Sequence, residues 1–282
     1  MSALSSKPPL AARLTIHAVV YAAAATMLLP FLWMVATSLK TASAANQPPT
    51  LGTLIPTDPQ WGNYAEAVRA AGLLQFYKMS VGVAVVTTVL AVAHNALAGY
   101  AFAKLRFKGK RILFGITLAT MMLPAQVFFI FAYVICSKLG YVDDFRGLVV
   151  PFLASGFGVF YMRQAIASVP DALIEAARLD GMSDGGIFWV IIRPIVWPAI
   201  AALGIFTFMN SWNSFFWPLI IIDSNENKTL PLAIAELAAG KYVQSWPVVM
   251  AAATILVVPL ILVFFLAQGA FIRGVALSGL KE

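Results

Sequence analysis

The chain has 282 residues, 61% of them hydrophobic and 11% charged, with a formal net charge of +7. A soluble domain carries about 25% charged residues, so the composition excludes an ordinary water-soluble globule and makes lipid the main solvent. The single cysteine, Cys136, excludes a disulfide framework within the chain and reads as a small apolar side chain in an apolar run.

A membrane-crossing helix needs about 20 mostly apolar residues. After a tail over residues 1–14, six stretches meet that requirement in chain order: 15–39, 79–103, 112–137, 147–167, 195–222 and 247–270. A second tail covers 271–282. The first run is too long for a cleaved signal peptide and lacks an A-x-A-like site. The fourth stretch holds Pro151, Gly156, Gly158 and Arg163, which a spanning helix tolerates when neighbours satisfy the freed backbone. The expected fold class is an all-α membrane protein with six transmembrane helices. Its larger loops cover 40–78, with an interfacial helix in "NYAEAVRAAGLLQFYKM", and 223–246.

Lysine and arginine orient the helices. The loop "KLRFKGKR", residues 104–111, packs five bases and no acid into eight residues. It places itself, both termini and the segment 168–194 on the cytoplasmic side. The net positive charge then reflects topology and anionic headgroups rather than nucleic acid.

All twelve acids fall outside the six stretches. A proton-driven carrier keeps ionisable relays within the membrane, and His94 is the one candidate here, with hydrogen bonding to a neighbouring helix as its simpler role. No carboxylate pair, metal-spaced cluster or nucleophile triad appears. A P-loop is also missing: "GVALSGLKE" from Gly274 has Leu280 where the phosphate-binding lysine belongs. An active transporter built from this chain needs an ATPase on another chain and a cytoplasmic contact to receive its work.

The segment "SVPDALIEAARLDGMSDGGIFWVIIRP" supplies a candidate for that contact. Ser168 is expected to cap a helix over 172–180, with Pro170 and Asp171 in its first turn. Gly181 is placed to end that helix in a left-handed conformation, and Ser183 and Asp184 to cap a second one that stops near Pro194. Ala176 and Ala177 keep one side of the rod thin for close approach to another surface, and Glu175 offers a charge to a partner. On physical grounds alone, a capped interfacial helix with no partner fits equally well.

Glu175-Ala176-Ala177, Gly181, Ile191 and Pro194 stand at the spacing of the EAA motif, and with it the chain resembles the permease subunits of ABC importers. "EAARLDG" followed by "FWVIIRP" is similar to the carbohydrate-uptake branch, the maltose and glycerol-phosphate type. "PFLWMVATSLK", "LAGYAFAKLRFKGKR", "MMLPAQV", "SWNSFFWPLI", "KTLPLAIAEL" and "FIRG" extend the likeness in the expected order. The resemblance implies that Glu175, Ala176, Ala177, Arg178, Asp180 and Gly181 form a coupling helix docking on a cytoplasmic ABC ATPase dimer. It further implies a second, different permease, an extracytoplasmic solute-binding protein and a bacterial-type plasma (inner) membrane. ATP and Mg would sit on the ATPase, with no cofactor on this chain and no catalysis by it. Two positions depart from the pattern: Arg193 stands where leucine is usual, and Gly269 where a base is common.

The fifth stretch carries "FMNSWNSFFWPL". Asn210, Trp212 and Asn213, with Gln126 in the third stretch, are candidates for a solute path. Hydrogen bonding between helices is the competing role. Loop 223–246 matches in position one that reaches the binding protein in such importers, or serves as an interfacial cap. The sequence thus implies a sugar permease driven by a partner ATPase; an ion-coupled secondary carrier and a non-transporting scaffold are the alternatives.

Overall fold

The structure is a computed structural model and describes residues 10–48, 56–70, 72–240 and 245–279. Every regular element among them is helical. Lys7, Lys241 and Lys281 lie outside the described residues. The chain divides into two units, residues 1–71 with 237–255 and residues 72–236 with 256–282.

In the first unit, α1 (Leu10–Ser38) runs for 29 residues and buries only Thr37 and Ser38. It is apolar on every side, as a lipid-facing helix must be. α2 (Ala42–Ala45) is one turn capped by Thr41, and α3 (Gly62–Ala70) follows. The end of α1 is tied to α3 by polar groups: Ser38 Oγ lies 2.7 Å from the Tyr64 hydroxyl, and Asn63 Nδ2 donates to the carbonyls of Ser38 and Lys40 at 2.8 and 2.9 Å. The expected interfacial helix stops early, because Gly72 adopts a left-handed φ of 64° and the chain re-enters a helix at Leu73.

That helix, α4 (Leu73–Lys104), is 32 residues long and forms the axis of the second unit. α5 (Lys110–Thr120) and α6 (Ala125–Leu139) follow, then α7 (Phe145–Val149), continued by a tighter turn to Phe152, and α8 (Gly156–Ala167). α9 (Asp171–Leu179) and α10 (Asp184–Ile187) come next, and one π-type turn over Phe188–Ile192 leads to α11 (Arg193–Ile195). α12 (Trp197–Trp212), α13 (Phe216–Ile221), α14 (Leu230–Ala238) and α15 (Trp246–Gly279) complete the chain.

α1, α4 and residues 246–265 of α15 are each long and apolar enough to cross a membrane. Two further stretches qualify only as bent pairs: α7–α8 turns by 44°, and the segment 184–195 meets α12 at 82°. The stretch expected over 112–137 is two helices, interrupted at 121–124. Pro124, with ψ 138°, cannot donate to the preceding turn and restarts the chain as α6. Likewise α12 ends at Trp212, and α13 begins three residues beyond Asn213.

Within lipid, burial from water does not draw helices together; close packing and hydrogen bonds do. α4 packs against α8 and α12, and the first of these contacts depends on glycine. A Cβ on Gly99 would lie 2.6 Å from the Met162 Cβ and 2.8 Å from the Arg163 nitrogen. A Cβ on Gly158 would meet the Asn95 side chain at 2.7 Å. Around the first contact Tyr100, Met162, Ile166, Ile174, Ile187, Phe188 and Ile192 form a buried cluster. A second cluster gathers Val83, Cys136, Leu148, Trp217 and Ile221, and the buried Cys136 packs there as a small apolar group.

The loop before α7 is fixed by Asp143, the one described non-glycine residue with positive φ, at 54°. Its Oδ1 accepts from the Ser224 amide and hydroxyl at 3.0 and 2.9 Å and from the Asp223 amide at 3.2 Å. Its carbonyl accepts from Asn227 Nδ2 at 2.6 Å. Burial pushes the carboxyl upward, but these bonds outweigh it and hold Asp143 below the usual carboxylate range. The bonds therefore stabilise the fold above the unfolded value, about 3.9, and that contribution is lost as pH falls through the folded one.

Two outcomes follow for the purified protein. Gly99→Leu forces backbone apart and lowers thermal stability by about 1–3 kcal/mol or more, whereas Gly115→Leu, with nothing within 4 Å of its Cβ, leaves it unchanged; melting curves compare them. Asp143→Asn melts below the wild type at neutral pH, and the gap closes on acidification below about pH 4.

Candidate functional site

The EAA segment forms a rod braced from three sides. Ile174 and Ala177, one turn apart, are 3% and 4% exposed and face the chain's own cluster with Ile187 and Phe188. The opposite face, carrying Ala172, Glu175, Ala176 and Leu179, is exposed. Leu179 is 89% exposed, and Glu175 makes no hydrogen bond or ion pair among the described residues. The two alanines thus do different work from that expected: Ala177 packs inward, and only Ala176 thins the outer face. Leu179 was not singled out from the sequence, although successive residues 100° apart around a helix place it there once Ile174 is known to point inward.

The base of the rod is pinned from a distance. Ser168 does not cap α9; its hydroxyl donates to the Ala165 carbonyl at 2.8 Å and closes α8. Asp171 does not close a capping box either. Lys104, whose side chain is 6% exposed, reaches across from the end of α4 and donates at 2.6 Å to both the Val169 carbonyl and Asp171 Oδ1. That hydrogen bond and the lysine charge hold the exposed Asp171 carboxyl below its usual range.

The tip is closed as expected. Gly181 has φ 80°, and the Met182 amide donates back to the Ala177 carbonyl at 2.9 Å. Ser183 Oγ accepts from the Gly186 amide at 3.2 Å and starts α10. Arg178 donates to Asp184 at 2.9 Å across the turn, so its charge is engaged within the segment. Asp180, at the end of α9, is exposed. The second helix runs to Ile195, one residue past Pro194, because the π-type turn carries the chain through Arg193. Arg193 lies over the Trp189 ring, 5.1 Å from its centre.

A cavity of about 290 Å³ opens among α4, α8, α12 and the starts of α13 and α14. Asn210 lines it, with Ser211 and Ser214. The other residues expected on a solute path do not. Trp212 is 1% exposed; its Nε1 donates to the Leu256 carbonyl at 3.0 Å and its ring stacks on Phe208. Asn213 Nδ2 turns back to the Met209 carbonyl at 2.9 Å. Gln126 is exposed in the first turn of α6. Three positions of sequence separate Asn210 from Asn213, enough on a helix that ends at Trp212 to give them different surroundings. His94 is exposed, and the neighbouring Asn95 is the polar group that meets another helix: its Oδ1 accepts from the Ser155 amide at 3.1 Å.

Residues 95–277 match the family described as binding-protein-dependent transport system inner membrane component. Curated relatives include an arabinooligosaccharides transport system permease of Halalkalibacterium halodurans, 32% identical over 78% of each chain. A lactose transport system permease of Rhizobium radiobacter is 31% identical over 92% of this chain and 93% of its own. An sn-glycerol-3-phosphate transport system permease of Pectobacterium atrosepticum is 32% identical over 79% of this chain and 82% of its own. Among solved structures, a bacterial ABC transporter involved in the import of the acidic polysaccharide alginate has the same fold, with a TM-score of 0.81 at 23% identity over 95% of this chain and all of that one. By its sequence match and by these relatives, the chain belongs to the binding-protein-dependent transport system inner membrane components.

Proposed function

We propose that this chain is one of two different permeases of an ATP-driven importer for a sugar or related polyol derivative. In this reading it crosses a bacterial-type plasma membrane six times with both termini in the cytoplasm. The broken stretches 110–139, 145–167 and 197–221 serve as the third to fifth crossings. The basic loop and α9 then share the cytoplasmic face, as the excess of lysine and arginine there supports. ATP hydrolysis falls to a partner ABC ATPase dimer, and solute arrives on an extracytoplasmic binding protein. One neighbour's structure is described as an alginate ABC transporter in complex with an alginate pentasaccharide-bound periplasmic protein. Sugar transport is what the relatives' names and the EAA motif together favour.

The observation that carries the reading is the outer face of α9. A nine-residue helix is too short to persist alone in water, yet this one is held by Ile174, Ala177, Lys104 and the Gly181 turn. It presents Leu179 and Glu175 outward, and among the described residues Glu175 makes no hydrogen bond or ion pair, feeling only the charge of Arg178 on its own helix. A leucine that exposed, on a rod that rigid, fits an apolar cleft on a partner. Motion of that partner would pass through Lys104 to α4 and through Phe188 to α12.

The test uses the transporter purified from native membranes. Leu179→Asp and Glu175→Lys lie on the exposed face of the rod, where Glu175 feels the charge of Arg178, so both should insert normally yet release the ATPase or leave its hydrolysis uncoupled from uptake. Stoichiometric ATPase and full uptake in both variants would overturn the coupling role. Gly181→Pro, which forbids the positive φ, should abolish uptake. Lys104→Met should lower it about ten-fold by freeing the base of the rod, with Lys104→Arg recovering part of the loss.

A further inference from the structure

The cavity beside α4 has a wall that is polar, uncharged and incompletely paired. Thr87 and Asn95 on α4 and Thr229 just before α14 are 2%, 1% and 4% exposed. The hydroxyls of both threonines and Nδ2 of Asn95 have no hydrogen-bond partner among the described residues. Unpaired buried groups of this kind are costly to leave unsatisfied, and three of them border one space. Asn210, Ser211 and Ser214 add amide and hydroxyl groups that make no side-chain hydrogen bond among the described residues. Phe157 and Phe206, both partly exposed, supply aromatic faces on the same lining.

Among the described residues, no acidic or basic side chain lines this space. The starts of α8 and α14, which would otherwise attract an anion, are already closed by neutral groups, and α13, whose start has no side-chain cap, is only six residues long. Asn95 Oδ1 takes the Ser155 amide, Ser155 Oγ takes the Gly158 amide at 3.2 Å, and Ser80 Oγ takes the Leu230 amide at 2.7 Å. A phosphate or carboxylate here would lose its hydration without gaining a counter-charge, which costs far more than a hydroxyl's desolvation. About 290 Å³ corresponds to roughly ten waters, the scale of a single sugar ring with its hydroxyls.

We infer that this chain itself holds one ring of a neutral, hydroxyl-rich solute in this cavity, with Thr87, Asn95, Asn210, Ser211, Ser214 and Thr229 as its polar contacts, and that it rejects anionic solutes there. The inference rests on the importer reading and narrows it. Relatives are named for neutral sugars and for a sugar-type phosphate alike, and the lining places this chain with the neutral group.

Equilibrium dialysis decides it, using the transporter in lipid nanodiscs without its binding protein. The probes are radiolabelled lactose, an arabinose trisaccharide and sn-glycerol 3-phosphate. At least one neutral probe should be retained by the wild type, and sn-glycerol 3-phosphate should not displace it. Thr87→Val with Thr229→Val keeps the shape of the wall and should weaken retention about ten-fold. Ser211→Phe, which fills the space, should abolish it. If the hydroxyls only face water, the double valine variant is as thermostable as the wild type or more so and retains the probe equally, which overturns the inference. Failure of the wild type to retain any neutral probe, or equal competition by the phosphate, also overturns it. Co-purification of an ATPase is scored separately: its absence removes the importer reading, while the dialysis still decides the cavity.

Discussion

In hydrocarbon the end of a helix cannot turn to water, so each orphaned backbone group there needs a partner inside the protein. This chain breaks its helices repeatedly, and α4 supplies three of the partners. Ser80 accepts from the first amide of α14, Asn95 from the Ser155 amide before α8, and Lys104 donates to the carbonyl of Val169 just ahead of α9. The positions of α8, α9 and α14 all depend on those contacts. Gly99 and Gly158 then let α8 approach closely enough for Asn95 to reach.

Charge is sparing, and it sits where helices end. Lys104–Asp171, Arg146–Asp144, Arg178–Asp184 and Lys228–Glu236 all lie at or beside helix ends, the first linking the end of α4 to the distant start of α9. Exposed pairs of this sort contribute little. Lys104 and Lys228 differ, because their side chains are 6% exposed and each would keep only a neutral acceptor, the Val169 carbonyl or Asn225 Oδ1, if its acidic partner were removed.

Features set by neighbours in sequence were legible before the structure. The Gly181 turn, the Ser183 cap and the long apolar runs of α1, α4 and α15 are local, and each lies where the residues indicated. Breaks within apolar runs were not, because hydropathy measures composition rather than continuity: 112–137 is apolar throughout and still divides at Pro124. The cap of α9 was misplaced for a related reason. Ser168 has the right chemistry next door, but Lys104, far away in sequence, holds the position. Thr87 and Thr229 gave no signal at all, since a threonine, whether beside Thr88 in an apolar run or after Lys228 in a polar loop, looks the same whether its hydroxyl meets its own backbone or a cavity. Trp212 and Asn213 were grouped with Asn210 by adjacency, which a helix end undoes.

α4 is unbroken for 32 residues, about 48 Å at 1.5 Å per residue, with Ser80 near one end and Lys104 at the other. A strut of that kind conserves length. Whatever displaces the segment held by Lys104 must reach the segment held by Ser80 as tilt or rotation, with a lag no longer than that of a stiff bar. A stiff strut leaves any bending to breaks in the chain, of which the 82° elbow before α12 and the π-type turn just ahead of it form the sharpest. The molecule thereby separates its gearing from its joint: one long element keeps two distant faces in step, and one short stretch takes up the difference.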